Sequence, residues 1–440
     1  MSTTEHVDAV IIGANTRGLV SAYVLAQLGY RAVLIERTNR VGGADASFVS
    51  EGGARFEHGL HVLDENRSEL ATRLFKKVVN GRVHRHRLKR GIVLRGSTMP
   101  YAPLPEQMPE ALRAMLPGDT IVDDLGDAPP SREALREHYG AYADFVFDEV
   151  LPSYPTESRH LAFDVDESKL MANIYPWFFP RASRPESEDE SRAFHDKLRA
   201  GVEQTILYPE SGGFGGFAEA FAASLEGTSV ELLRGAKDAN IELEPGTHRV
   251  RAVTAMGRRF EAPRYLWAGG WLQLTNLLGM AWQNPATDRI VLGSFTLSRA
   301  PDVEYDELLF GDPNHAINRL YFPARFRKSD EPLMQIEFAF PEAEADRPRD
   351  AEHWKASWWK SLQDVGVVKD ETIASFDFRS FVLHFNAYGA EGQPLQDADP
   401  SVLVDSNIHP IVPSLANLNL NRYVPRVVRD VTALLAAMDD

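Results

Sequence analysis

Gly13 and Gly18 hold the first and third places of the spacing G-x-G-x-x-G, Asn15 stands at the second, and Glu36 follows 23 residues after Gly13. A turn of this kind at the start of a helix gathers backbone N–H groups around an anion, and a carboxylate at the end of the next strand accepts from sugar hydroxyls. Together these residues would hold a dinucleotide. Arg37 and a second glycine pair, Gly42 and Gly43, come directly after, and amides in such a turn meet pyrophosphate with no side chain intervening. His58 and His61 are the side chains nearby that could accept or donate a proton. A metal pair is not expected from them, because no cysteine and no flanking carboxylate cluster completes a ligand set.

These residues need elements to place them. Val7, Ala9, Val10, Ile11 and Ile12 form a short apolar run suited to a strand buried on both faces. Leu19, Ala22, Tyr23 and Ala26 then recur on one helical face, with Gly29 as the stop. Ala32-Val33-Leu34-Ile35 predicts the second strand, ending at Glu36. Strand, turn, helix, strand and terminal acid thus fall in the order of a doubly wound α/β domain.

The 440 residues are too many for one simple core. A net charge of −16 argues against nucleic acid as a partner, and no run reaches the roughly 18 apolar residues of a membrane span. The polar stretch Met1 to His6 leaves no room for a signal peptide, so a cytoplasmic protein is expected. The absence of cysteine excludes disulfides, a thiol nucleophile and a flavin tethered through sulfur. The basic segment Arg82 to Arg90 reads as a strand and turn rather than an anion-binding rim. Pro117 to Ser131 and Arg181 to Ser191 read as exposed loops. Helices are expected at Arg132 to Val150, at Phe214 to Leu225, around Trp354, Trp358 and Trp359, and from near Pro425 to the carboxyl end.

Beyond these readings, Gly13-x-x-x-x-Gly18, Glu36-Arg37 and Gly42-Gly43 resemble the FAD-binding amino terminus of the amine oxidase superfamily. Arg55-Phe-Glu-His-Gly-Leu-His61 is similar to its F-D-x-G-x-H segment, which reaches the flavin ring. Gly96 to Leu104 is similar to the strand and turn entering its substrate domain, and Tyr208 to Gly216 to the glycine-rich turn that returns to the cofactor domain. The chain departs from the family at three places. Asn15 replaces a glycine, Asp238 stands where a valine usually lies beside the adenine, and Asn421 replaces a glycine in the closing segment Asn417 to Tyr423.

The resemblance implies a Rossmann-like FAD-binding domain, a parallel sheet with helices on both faces, and an inserted mixed α+β substrate domain. The cofactor domain is expected over 1–80, 206–280 and 401–440, and the substrate domain over 81–205 and 281–400. The resemblance puts Gly13, Ala14, Asn15, Gly18, Glu36, Arg37, Gly42, Gly43, Asp238 and Arg422 at FAD, with His61 and then His58 beside the ring. The helix near Pro425 would aim its positive end at the isoalloxazine. The expected activity is oxidation of a small-molecule substrate by hydride transfer to flavin, in a protein that is compatible with a homodimer. Two alternatives stay open: a reduced-flavin isomerase of a nucleotide sugar like UDP-galactopyranose mutase, and a non-catalytic relative with a degenerate flavin site. Tyr175 to Pro180, and Tyr321 with Arg325 and Arg327, are weaker substrate-side candidates.

Overall fold

A computed structural model describes residues 4–101, 103–117, 132–151, 204–279, 287–341, 350–384, 406–411 and 420–439. Both expected loops fall wholly or almost wholly outside these residues, as do Tyr175 to Pro180 and Asn417 to Asn419.

The centre of the α/β part of the chain is a five-stranded sheet in which every pairing is parallel. Its strands are Ala9–Ile12, Ala32–Ile35, Val230–Leu233, Arg264–Trp267 and Ile408–Pro410. Counted along the chain, their spatial order is 3-2-1-4-5. That order reverses direction between the first and fourth strands, and a doubly wound sheet binds ligands outside the carboxyl ends of its strands at such a switch point. The register sets Ala9 against both Ala32 and Arg264. It therefore brings Gly13, just past the first strand, beside Ala268, just past the fourth.

The strands read as continuous apolar runs because both faces are covered. Ile11, Leu34 and Leu266 point into one core, which holds the helices Thr16–Gln27, Glu69–Val78, Gly216–Ser224 and Leu420–Asp439. Val10, Val33, Tyr265 and Trp267 point into the other, against the short helix Trp271–Leu277 and a four-stranded sheet. That sheet is made of Thr4–His6, Arg258–Glu261, Val250–Ala255 and Asn240–Leu243. Burying each Val, Ile or Leu side chain in these cores contributes roughly 1.5–3 kcal/mol, which holds the loop at the carboxyl ends of the strands in place.

The sequence placed the start of the carboxyl-terminal helix near Pro425, but the helix begins at Leu420. Proline at this depth has no N–H for the carbonyl four residues earlier, so Pro425 sits inside the helix at the cost of one bond.

A second sheet has seven strands and is mixed. In order, its strands are Ile373–His384, Thr287–Leu297, Leu333–Pro341, Arg319–Tyr321, Glu307–Phe310, Arg90–Leu94 and Ser97–Pro100. Its core includes Trp354 and Trp358 of the helix Ala351–Asp364, with ring centroids 5.2 Å apart, and Trp359 packs at its margin. This is aromatic core packing, as the spacing suggested. The basic segment forms the strand Val83–Leu88, and its side chains find acids: Arg85 pairs with Glu65 at 2.7 Å, and His86 Nε2 lies 2.7 Å from Asp306 Oδ2.

Candidate active site at the sheet switch point

The turn after the first strand is held by its own neighbours. Gly13 N donates to Ile35 O at 2.8 Å, Ala268 N to Ile12 O at 2.9 Å, and Gly42 N to Ala14 O at 2.8 Å. The helix Thr16–Gln27 crosses this turn so closely that a Cβ on Gly18 would lie 1.9 Å from Gly13 O. Only a residue without a side chain fits there. Gly43, at φ +59°, is similarly pressed: a Cβ on it would lie 2.8 Å from Asn15 Cβ. The Gly42-Gly43 turn and the Gly13–Gly18 turn therefore form one cradle walled by backbone.

Glu36 closes the cradle. Its Oε2 accepts from Ala14 N at 2.9 Å, and its Oε1 accepts from Thr38 N and Thr38 Oγ1, both at 2.9 Å. An ionised carboxylate offers about four acceptor positions, so Glu36 retains capacity for about one sugar hydroxyl. Arg37 is exposed beside it. Asn15 is the N-cap of the helix: its Oδ1 accepts from Arg17 N at 3.1 Å and Gly18 N at 3.2 Å, and its Nδ2 donates to Ala268 O at 2.5 Å.

The remaining sequence candidates stand farther along the chain. Asp238 is exposed, and its carboxylate accepts from Met256 N at 3.0 Å and Gly257 N at 3.3 Å, bracing the turn between two strands of the four-stranded sheet. Those amides hold its carboxyl below the usual range. Arg422 lies in the first turn of the carboxyl-terminal helix. Arg325 donates to the carbonyls of Tyr305 at 2.6 Å and Val303 at 2.8 Å, and Arg327 to Arg55 O at 2.6 Å, so both arginines brace backbone.

His61 lies beside the cradle. Its Nδ1 is 3.2 Å from Asp45 Oδ1, while Thr16 Oγ1 donates to Asp45 Oδ2 at 2.5 Å. A carboxylate on Nδ1 favours the tautomer protonated there and leaves Nε2 as the acceptor. The ring stacks on Phe214 at 5.9 Å, which fixes its plane. Nε2 is buried without a hydrogen bond, and so is Oε2 of Glu337, whose nearest cation is Arg319 at 3.8 Å. Both atoms lie near Gly59, 4.0 and 3.3 Å from where its Cβ would be. A buried polar atom left unpaired costs about 1–3 kcal/mol, so each is a candidate contact for a polar group of a ligand. Sequence spacing gave no sign of Asp45 or Glu337, because only the tertiary crossing brings residues 16, 45, 61 and 337 together.

His58 faces a different environment. Its ring lies 5.1 Å from Phe48, and burial, then the positive charge of Arg379, push its pKa down to about 4. His58 is therefore neutral at physiological pH.

A buried network underpins this segment. Tyr208 donates to Glu57 Oε1, and Phe214 N donates to Tyr208 Oη at 2.9 Å. Gln335 Nε2 donates to Glu57 O at 2.8 Å and to Ser294 Oγ at 3.0 Å. It ties the strand Arg55–Glu57, the turn around Phe214 and the seven-stranded sheet into one support for His58 and His61. Burial, then the Glu57 charge, raise the Tyr208 phenol well above its usual value, so it stays a donor.

The residues fit a dinucleotide on these observations: a side-chain-free cradle, a carboxylate at the second strand end, and unsatisfied polar atoms beside the segment next to it. Among the described residues, no group of three metal-type side chains occurs, and no helix is long and apolar enough to cross a membrane.

Comparison with known proteins agrees with this geometry. Residues 11–78 match the NAD(P)-binding Rossmann-like domain family. All-trans-retinol 13,14-reductase of Rattus norvegicus is 40% identical over 63 residues, which is 14% of this chain and 10% of the reductase. The Danio rerio reductase is 36% identical over 61 residues, again 10% of its length. The shared stretch thus spans about a tenth of these relatives. Along nearly the whole chain, the fold is similar to that of reduced UDP-galactopyranose mutase (15% identical, 98% of this chain and 96% of that one, TM-score 0.65). It is also similar to putrescine oxidase bound to putrescine (15% identical, 99% and 100%, TM-score 0.58). Residues 11–78 thus match an NAD(P)-binding Rossmann-like domain, and the chain as a whole has a fold similar to those of UDP-galactopyranose mutase and putrescine oxidase.

Proposed function

We propose that this protein is an FAD-dependent oxidoreductase acting on a small organic molecule. The observation that carries the reading is the cradle at the switch point of a 3-2-1-4-5 sheet, with Glu36 closing one end and His61 standing beside it. Retinol reductase and putrescine oxidase, to which parts or all of the chain are similar, are oxidoreductases by name. The isomerase and non-catalytic alternatives are not favoured by these findings.

In this reading Gly13, Ala14 and Gly18 shape the turn for the diphosphate, and Gly42 and Gly43 wall its other side. Glu36 accepts from the adenosine ribose. When bound, FAD supplies a two-electron acceptor for a hydride leaving the substrate. The protein's part is to bind, orient and handle protons. Asp45 keeps the His61 proton on Nδ1, so Nε2 is free to accept a hydrogen bond or a proton from the ligand. Neutral His58 adds no charge beside it. Arg37 at the cradle rim and Arg422 in the carboxyl-terminal helix are the cations assigned to the cofactor side, and Asp238 remains a candidate at its adenine end. The homodimer and a cytoplasmic location belong to the same proposal.

The test is reduction under anaerobic conditions. Protein loaded with FAD is mixed with amines, alcohols and unsaturated acids in turn, and the flavin absorbance is followed. Bleaching by one class supports the reading. A loaded protein that no organic donor reduces, while dithionite does, contradicts it.

A further inference from the structure

The helix start at the cradle is already occupied, and its occupant belongs to the chain. Asn15 Oδ1 accepts from the amides of Arg17 and Gly18, at 3.1 and 3.2 Å. Those are amides that a phosphate oxygen would take at the start of such a helix. The arrangement is a well-formed N-cap: Asn15 has extended backbone, φ −70° and ψ 177°, and asparagine is among the strongest capping residues. One further hydrogen bond holds the side chain: its Nδ2 donates to Ala268 O at 2.5 Å, a carbonyl that also accepts from Arg17 Nη2 at 3.0 Å.

We infer that Asn15 is a displaceable plug: its amide oxygen competes with the cofactor diphosphate for the helix amides, and so makes FAD an exchangeable ligand rather than a permanently held one. The inference rests on the FAD reading above. Diphosphate binding must break the cap before its own bonds to Arg17 N and Gly18 N form, and the affinity is lowered by what the cap was worth. A residue that leaves the amides open raises the affinity. A residue that caps with a full negative charge lowers it further, since it repels the diphosphate from the amides it holds.

The experiment is fluorescence titration of the full chain with FAD, ADP and adenosine, for the natural protein, Asn15→Gly and Asn15→Asp. Replacing a capping asparagine by glycine is worth about a twofold factor in an equilibrium. Asn15→Gly is expected to bind FAD and ADP about twofold more tightly, with adenosine unchanged because it has no phosphate. Asn15→Asp is expected to bind FAD and ADP at least about ten times more weakly, and as a good cap it keeps the helix intact should the glycine variant fail to fold. Equal FAD affinity in all three proteins, or a gain that extends to adenosine, overturns the plug. FAD binding to none of them overturns the cofactor reading itself, which keeps the two failures apart.

Discussion

Replacing Gly43 with alanine tests the cradle at its tightest point. At φ +59° the backbone is left-handed, which costs a residue with a Cβ about 1–2 kcal/mol. The new methyl also lies 2.8 Å from Asn15 Cβ, well inside contact distance, and overpacking of this kind costs about 1–3 kcal/mol. Gly43→Ala should therefore destabilise the protein by about 2–5 kcal/mol. The second contribution depends on one atom. With Asn15→Gly in the background, the nearest neighbour becomes the Cα of residue 15 at 3.6 Å, an ordinary contact, and only the backbone cost remains. Asn15→Gly alone removes the cap, which costs only a few tenths of a kcal/mol. Urea unfolding of the natural protein, both single variants and the double variant gives the coupling directly. The expected coupling is about 1–3 kcal/mol, with the double variant more stable than Gly43→Ala alone. Additive losses, within about 0.5 kcal/mol, would show that Asn15 does not stand against Gly43 and would remove the footing of the plug as well.

Two further outcomes follow from the histidines. His58 and His409 are both pushed down to about 4 from an ordinary 6.5, His58 by burial and the Arg379 charge, His409 by burial and the Arg264 charge. In the unfolded chain they take up protons first as pH falls. Their contribution is whole above about pH 6.5 and is lost on the way down to about pH 4, by about 1–3 kcal/mol each given their partial exposure. Urea midpoints should fall over that window, and His58→Gln with His409→Gln should flatten the fall; an unchanged slope refutes the assignment. For His61, nitrogen NMR of the neutral ring should show the proton on Nδ1 in the natural protein and a shift toward the Nε2 tautomer in Asp45→Ala. The same tautomer in both would mean that Asp45 does not orient the ring.

The first strand, turn, helix and second strand were legible because their apolar runs and glycines are local. Ala32–Ile35 coincides with its apolar run, and Gly29 follows the helix as its stop, at φ +81°. Glu36 was legible for the same reason. Asp45 was not, since its meeting with Thr16 and His61 depends on how the Gly42-Gly43 turn folds back over the helix. Glu337, 276 positions beyond His61, arrives on a strand of the seven-stranded sheet. The carboxyl-terminal helix shows the opposite error: Pro425 signals a helix start locally, and here the packing of Val424, Val427 and Val431 extends the helix back past it. Asn15 looked like a lost glycine in the sequence, and the structure shows what replaced it, a cap built from the same residue.

Equilibrium dialysis of FAD against the pure chain, beside Glu36→Ala, tests the cradle most directly. One FAD per chain is expected, with a loss of about tenfold or more in affinity when Glu36 is removed, in line with one hydrogen bond to a charged acceptor. No bound FAD at saturating concentration, or binding that is indifferent to Glu36, would contradict this expectation.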